Sequence, residues 1–516
     1  MQLSPNKRIA LNFIATYGRS LYALLLGLFS TRWVLAALGN SDFGLWGVVG
    51  SIVIVIGFLN GILGNSVGRY YAYAIGEIDY LDKAVARENL VRWFNAAVSI
   101  HFILPLVLCT IGYPIGIYAI RHWLVIPECR KLACEHVFIL SLIAAFVTMS
   151  GTPYVAMYRA RQLIAELSIW GIIQTTILFC YAYYLMSYNG DRLVAYAFIM
   201  TAVPVFITLI QIYRARKKFG ECRLYRRYLF NREFLLKIFS FSFWEFFATG
   251  GDIVRAQGTA FLINRSFGAT TNAAWAVSAQ VSGHTTALSS AMISSITPAL
   301  TTAAGAHDYR RMVQLAFAAS KFGAIFILMF AIPLILEMEY VLNLWLKTPP
   351  EYAAPLCRCM LIALVCHKLG WGHHMAVLAD GRVKALLASN GAISAATIFL
   401  VFGFIKAGWG PASVGIAFIL SYMSLTISRV YYSRKLCNMS VRYWLSRIVM
   451  PIVFLCAVVV ATGLGVRKVL EPSFIRLCAT TITTTVMFCC MIWLCVLTNT
   501  EKEKCRGKVL GMLKLG

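Results

Sequence analysis

Long apolar runs dominate this sequence and constrain its fold more than any other feature. A helix needs about 20 apolar residues to cross the hydrocarbon core of a bilayer. About fourteen segments of that kind follow one another along the chain. They lie at 9–38, 44–75, 93–120, 133–158, 168–188, 193–213, 238–263, 271–298, 312–336, 354–378, 386–405, 413–432, 448–465 and 474–497. Of 516 residues, 59% are hydrophobic and 13% charged, with a mean hydropathy of +0.72. An ordinary soluble domain carries about 25% charged residues, and single soluble cores stop growing near about 250–300 residues. The fold class expected is an all-α polytopic membrane protein, which excludes a soluble enzyme, a disordered chain and a disulfide-rich secreted module. The first run is too long for the core of a signal peptide, and it contains Arg19.

The net charge of +26 does not point to nucleic acid, because the basic residues sit in short loops between the apolar runs. With the N-terminus in the cytoplasm, the inner side receives Lys7, Arg8, Lys83, Arg87, Arg92, Arg159, Arg161 and the dense stretch 214–237. It also receives Arg310, Arg311, Arg382, Lys384, Arg434, Lys435, Arg442 and the Lys-rich tail. The outer side receives chiefly Arg121, Arg130, Lys131, Lys347, Lys406, Arg467 and Lys468. The inner excess is roughly threefold, which predicts both termini in the cytoplasm for an even number of spans. Most of the 15 cysteines lie inside apolar runs, where a thiol behaves as a small hydrophobe, and none form metal-ligand spacing. The largest loops, 214–237 and 337–352, are too short for a soluble domain, and no phosphate-binding glycine loop is present.

The chain contains an internal repeat. Leu38-Gly39-Asn-Ser-Asp-Phe-Gly-Leu-Trp46-Gly-Val48 resembles Phe267-Gly268-Ala-Thr-Thr-Asn-Ala-Ala-Trp275-Ala-Val277. In the same ungapped register, Gly76-Glu-Ile-Asp79-Tyr80 falls on Gly305-Ala-His-Asp308-Tyr309. Six spans separate the copies, so the halves share an orientation, an architecture known among transporters. The expected organisation is an N-terminal six-helix lobe over 1–213 and a basic cytoplasmic linker over 214–237. A second six-helix lobe covers 238–432, and two extra helices with a basic tail cover 433–516. Substrate is expected between the lobes near mid-membrane.

The segment Thr31-Arg32-Trp-Val-Leu-Ala-Ala-Leu38-Gly39-Asn-Ser-Asp42-Phe43-Gly44-Leu-Trp46 resembles the first outer loop of bacterial polysaccharide flippases of the Wzx type. Those proteins belong to the multidrug/oligosaccharidyl-lipid/polysaccharide exporter (MOP) superfamily. The stretch from Gly76 to Asn89, the fourteen spans and the two lobes fit the same family, and the two additional C-terminal spans are typical of its polysaccharide branch. The motif likeness covers about the first 95 residues; beyond them it is architectural. The resemblance implies a flippase in the bacterial inner membrane. It would move a polyprenyl-pyrophosphate-linked oligosaccharide to the outer leaflet for surface polysaccharide such as O-antigen.

A charge at mid-membrane costs at least about 2.5–3.5 kcal/mol, so each one needs a reason. Arg19, Glu245, Asp252, Arg255, His367 and Lys368 lie within spans. If the resemblance holds, Arg19, Arg255 and Lys368 would bind the pyrophosphate, for which the arginine fork is well suited. Asp252 and Glu245 are candidates for coupling or gating, although Asp252 and Arg255, three apart, are equally able to neutralise each other. Asn60, Asn65, His284 and His367 are candidates for a polar cleft wall. His373 and His374 point in different directions on a helix and make a poor metal pair. Arg69, near an inner span end, is expected to reach lipid phosphates. No cofactor is expected, and a proton or sodium gradient is compatible with the sequence. The expected partners are the lipid-linked oligosaccharide, the bilayer and other polysaccharide-assembly membrane proteins. Two rivals remain: a multidrug exporter of the same superfamily, and a membrane-embedded polymerase or acyltransferase whose site would be sought around 367–374.

Overall fold

The computed structural model describes residues 5–78, 82–124, 126–346, 349–498 and 501–503. Asp79, Tyr80 and Lys347 lie outside the described residues. Every regular element among the described residues is helical. A helix satisfies each backbone donor and acceptor within its own segment, as a bilayer interior requires. The first helices are α1 (Pro5–Glu77), α2 (Lys83–Tyr118), α3 (Glu128–Ala160), α4 (Ile164–Tyr184) and α5 (Arg192–Lys218). There follow α6 (Arg232–Gly305), α7 (Tyr309–Leu336), α8 (Met338–Leu346), α9 (Ala353–Leu369) and α10 (Trp371–Asp380). The last are α11 (Lys384–Lys406), α12 (Ala412–Cys437), α13 (Val441–Trp444), α14 (Met450–Val469) and α15 (Phe474–Met491).

Nine spans among the described residues are long and apolar enough to cross a bilayer, and the α9–α10 pair, bent by 41° around Gly370, supplies a tenth. The helices α1 and α6 are each two arms joined at one glycine. Gly39 has φ 74°, ψ 169° and Gly268 has φ 83°, ψ 179°, a region that only glycine enters without strain. Each arm exceeds the length a crossing needs. The fourteen apolar segments thus each find a helix, a helix arm or the bent pair. The outer connections expected around Gly39 and Gly268 are single-residue breaks, placed identically in the two copies of the repeat. The stretch 337–352, read from the sequence as a loop, carries the short helix α8.

Polar side chains mark where the helices begin. Asp82, Asp191 and Asn231 accept backbone N–H bonds at the starts of α2, α5 and α6, satisfying donors that a first helical turn leaves free. Pro105, Pro204 and Pro333 lie within α2, α5 and α7, and Pro451 lies within the continuous helical run Val441–Val469 that α13, a π-helical turn and α14 form together.

The chain divides into two compact units: Met1–Phe246 with Ser294–Tyr309, and Phe247–Ile293 with Arg310–Gly516. In the first unit α3 packs on α1, α2 and α5 around Tyr71, Phe94, Phe138, Met149 and Tyr158, all essentially inaccessible. The second motif of the repeat closes on itself here. A Cβ on Gly76 would lie 2.0 Å from the Thr302 carbonyl oxygen, and one on Gly305 would lie 2.0 Å from that of Tyr73. Equivalent glycines thus bring the ends of α1 and α6 into backbone contact. At the other end of this unit, Arg130 pairs with both Asp42 and Asp191. Arg192 donates to the Ala37 carbonyl at 3.0 Å. The motif around Gly39 is therefore tied to the starts of α3 and α5.

In the second unit α12 packs on α9, α10 and α11, and α14 packs on α15. Leu328 and Ile332 of α7 share a core with Ile452 and Leu455 of α14 and with Phe488 of α15. A buried ion pair ties α15 to the end of α7: Arg476 donates to Glu337 from Nε at 3.1 Å and Nη2 at 2.8 Å. Thr480 adds a bond to the same carboxylate at 3.0 Å.

Candidate functional site

Two side-chain clusters in the second unit hold four of the nine sequence candidates. The first starts on α6, where Asp252 and Arg255 share a face because they are three residues apart. Arg255 Nη2 donates to Asp252 Oδ1 at 2.9 Å and to the Tyr422 hydroxyl at 3.1 Å. Ser394 Oγ on α11 donates to the same carboxylate oxygen at 2.8 Å. The guanidinium lies over Tyr422, 4.4 Å from the ring centroid, and 5.4 Å from that of Phe418. A Cβ on Gly251 would fall 2.3 Å from the Gly391 carbonyl oxygen, so α6 and α11 approach as closely as backbones allow. The Arg255 side chain is 7% exposed and that of Asp252 is 53% exposed. The cation is therefore enclosed and the carboxylate forms its open edge.

The second cluster forms where α9 bends into α10. Gly370 permits the close approach of α12: a Cβ there would lie 2.8 Å from Thr426 Cγ2. Arg429 of α12 donates from Nη2 to His367 Nε2 at 3.0 Å and from Nη1 to the His367 carbonyl at 3.3 Å. Its guanidinium lies 5.2 Å from the Trp371 ring centroid, and the Lys368 ammonium lies 4.8 Å from the same centroid. Arg429 and Lys368 are 4% and 3% exposed. Stacking on a desolvated aromatic ring is worth about 2 kcal/mol, which offsets part of the several kcal/mol that each buried ion costs. The His367 ring faces Tyr422 at 4.7 Å and so joins the two clusters.

Thus Asp252, Arg255, His367 and Lys368 come together. His284, on α6 of the same unit, is exposed and stands outside both clusters. Arg19, Glu245, Asn60 and Asn65 belong to the first unit. Arg19 is half-buried against α4, where a Cβ on Gly171 would meet its Cδ at 2.6 Å. Asn60 accepts a bond from Thr152 at 2.8 Å, Asn65 is exposed, and Glu245 is partly buried on α6. His373 and His374 are both buried. His373 bonds Ser433 at 2.6 Å and His374 lies 3.5 Å from Asn390. Arg69 stacks on Tyr70 and Phe241, at 5.0 and 5.1 Å.

Arg429, Trp371 and Tyr422 were not singled out from the sequence. Arg429 carried a usable signal, a cation inside an apolar run, but its position near a span end reads as a snorkelling side chain. Nothing local marks Trp371 or Tyr422 among the many aromatics.

No family model matches this chain, and no curated protein does. Solved structures match it well in fold, and they include a MATE family transporter of the MOP superfamily and a further MOP superfamily transporter. An outward-facing multidrug resistance MATE transporter has a TM-score of 0.69 at 15% identity, covering 84% of this chain and 96% of that one. A MOP superfamily transporter from Pyrococcus furiosus, described as having a binding pocket of reversed polarity that suggests a different function, has a TM-score of 0.70 at 15% identity, with the same coverage. A MATE protein in complex with MaL6 has 0.69 at 14% identity, covering 84% and 97%. The chain therefore has the MATE-type fold of polytopic membrane transporters. At this identity the likeness concerns fold alone.

Proposed function

We propose that this protein is a membrane transporter whose cargo carries negative charge, with a lipid-linked oligosaccharide bearing a pyrophosphate as the class that fits best. The carrying observation is the charge of the second unit's clusters: Arg255, Lys368 and Arg429 against the single carboxylate of Asp252. A cleft for organic cations calls for the opposite balance. Arg255, at the edge opened by Asp252, and Arg19 in the first unit are the cations assigned to the head group; Lys368, 3% exposed, contributes positive charge without touching it. Asp252 and Glu245 are the candidate coupling groups, driven by a proton or sodium gradient if one is used. The polyprenyl tail stays in lipid, so that only the head group needs a polar path.

A second reading, export of drugs, has its own support: the solved structures that share the fold include a multidrug resistance transporter. The comparisons back this reading better than the flippase. Deleting the gene in its native host separates the two. Complete oligosaccharide units held on the inner leaflet, released by wild type but not by Arg255→Ala, support the anionic cargo. Normal surface polysaccharide with lost resistance to cationic drugs overturns it in favour of drug export.

A further inference from the structure

Around Trp371 the second unit places hydrogen-bond donors with no acceptor to receive them. Arg429 uses its fork on His367, which leaves Nε buried and unpartnered among the described residues. The guanidinium always donates, so His367 Nε2 is the acceptor, and the proton of the neutral ring sits on Nδ1. That Nδ1 is also buried and unpartnered, as is the indole Nε1 of Trp371. The Lys368 ammonium stands over the same indole, and no carboxylate among the described residues lies within ion-pair distance of Lys368 or Arg429. Asp252 is already engaged by Arg255.

We propose that this cluster is a binding site for a small monovalent anion of the halide class, held by Arg429, Lys368 and Trp371. A group of buried donors with uncompensated positive charge needs an anion, because an unmet donor and an unpaired buried cation each cost free energy. One feature selects a halide over a phosphate. Both cations are almost fully enclosed, which shuts out a bulky head group. The bound ion acts as a resident counterion that holds the α9–α10 bend against α12. It is separate from the cargo, so the proposal does not depend on which cargo is carried.

The test uses the purified full-length protein in detergent. Radiolabelled chloride should bind wild type at a single saturable site, displaced by bromide and not by gluconate. At constant ionic strength, replacing gluconate by chloride should raise the unfolding midpoint with the same saturation, because a ligand that binds only the folded state stabilises it. Arg429→Gln and Lys368→Met should each abolish saturable binding, while Arg434→Gln should leave it unchanged. Absence of saturable chloride binding to wild type overturns the proposal whatever the variants do. So does binding that survives in both variants, or displacement by inorganic phosphate at concentrations where bromide is without effect, which would mark a phosphate site instead.

Discussion

Asp191 shows how one side chain can hold two structural roles at an outer helix end. It caps α5 through the Leu193 and Val194 amides and pairs with Arg130. Burial pushes its carboxyl up, but Arg130 and the two amides outweigh burial and hold it below the usual aspartate range. A lowered folded-state value gives stability that is complete above the unfolded-state value and is lost as pH falls through the folded one. The difference in unfolding midpoint between wild type and Asp191→Asn should therefore be constant from about pH 8 to about pH 5, and shrink only below about pH 4. A difference that changes near neutral pH would show that another group controls this corner. Individual charges were partly legible in the sequence. Arg255 and Lys368 stand out as intramembrane cations, and the pairing of Asp252 with Arg255 follows from their spacing. Arg429 lies near a span end, and only the packed structure shows it to be buried; Lys321, midway along α7, carried a readable signal as an intramembrane cation but was not singled out.

At the scale of elements, glycine decides where helices break and where they touch. Gly39 and Gly268 break α1 and α6 in the same conformation, and Gly76 and Gly305 let two helix ends meet. Gly39→Ala should cost about 1–3 kcal/mol through backbone strain. Gly76→Ala should cost about the same through overpacking, since backbone atoms cannot rotate aside. Gly57, which has open space around it, provides the control, and its alanine variant should be neutral or slightly stabilising. Thermal unfolding in detergent compares the three; equal midpoints would remove the role assigned to these glycines. The repeat drew attention to these positions. Their backbone angles and contacts were not readable, because they depend on which helix ends meet.

At the scale of the whole chain, charge asymmetry makes a prediction that the fold itself does not. The inner excess of Lys and Arg places the start of α3 outside. Cys129 is exposed there. A membrane-impermeant thiol reagent added to intact spheroplasts should label wild type and not Cys129→Ser. Labelling of Cys129 only after lysis would invert the orientation.

The sequence by itself determined the fold class, the helical segments and the repeat. The reason is that a bilayer demands uninterrupted apolar helices, and a duplication leaves its register in the residues. What only the tertiary structure decided is which charges meet. Arg429 lies far along the chain from His367 and Trp371, and only the bend at Gly370 and the packing of α12 bring them together. Such pairings depend on helix rotation and tilt, which hydrophobic composition leaves open and packing between neighbours sets.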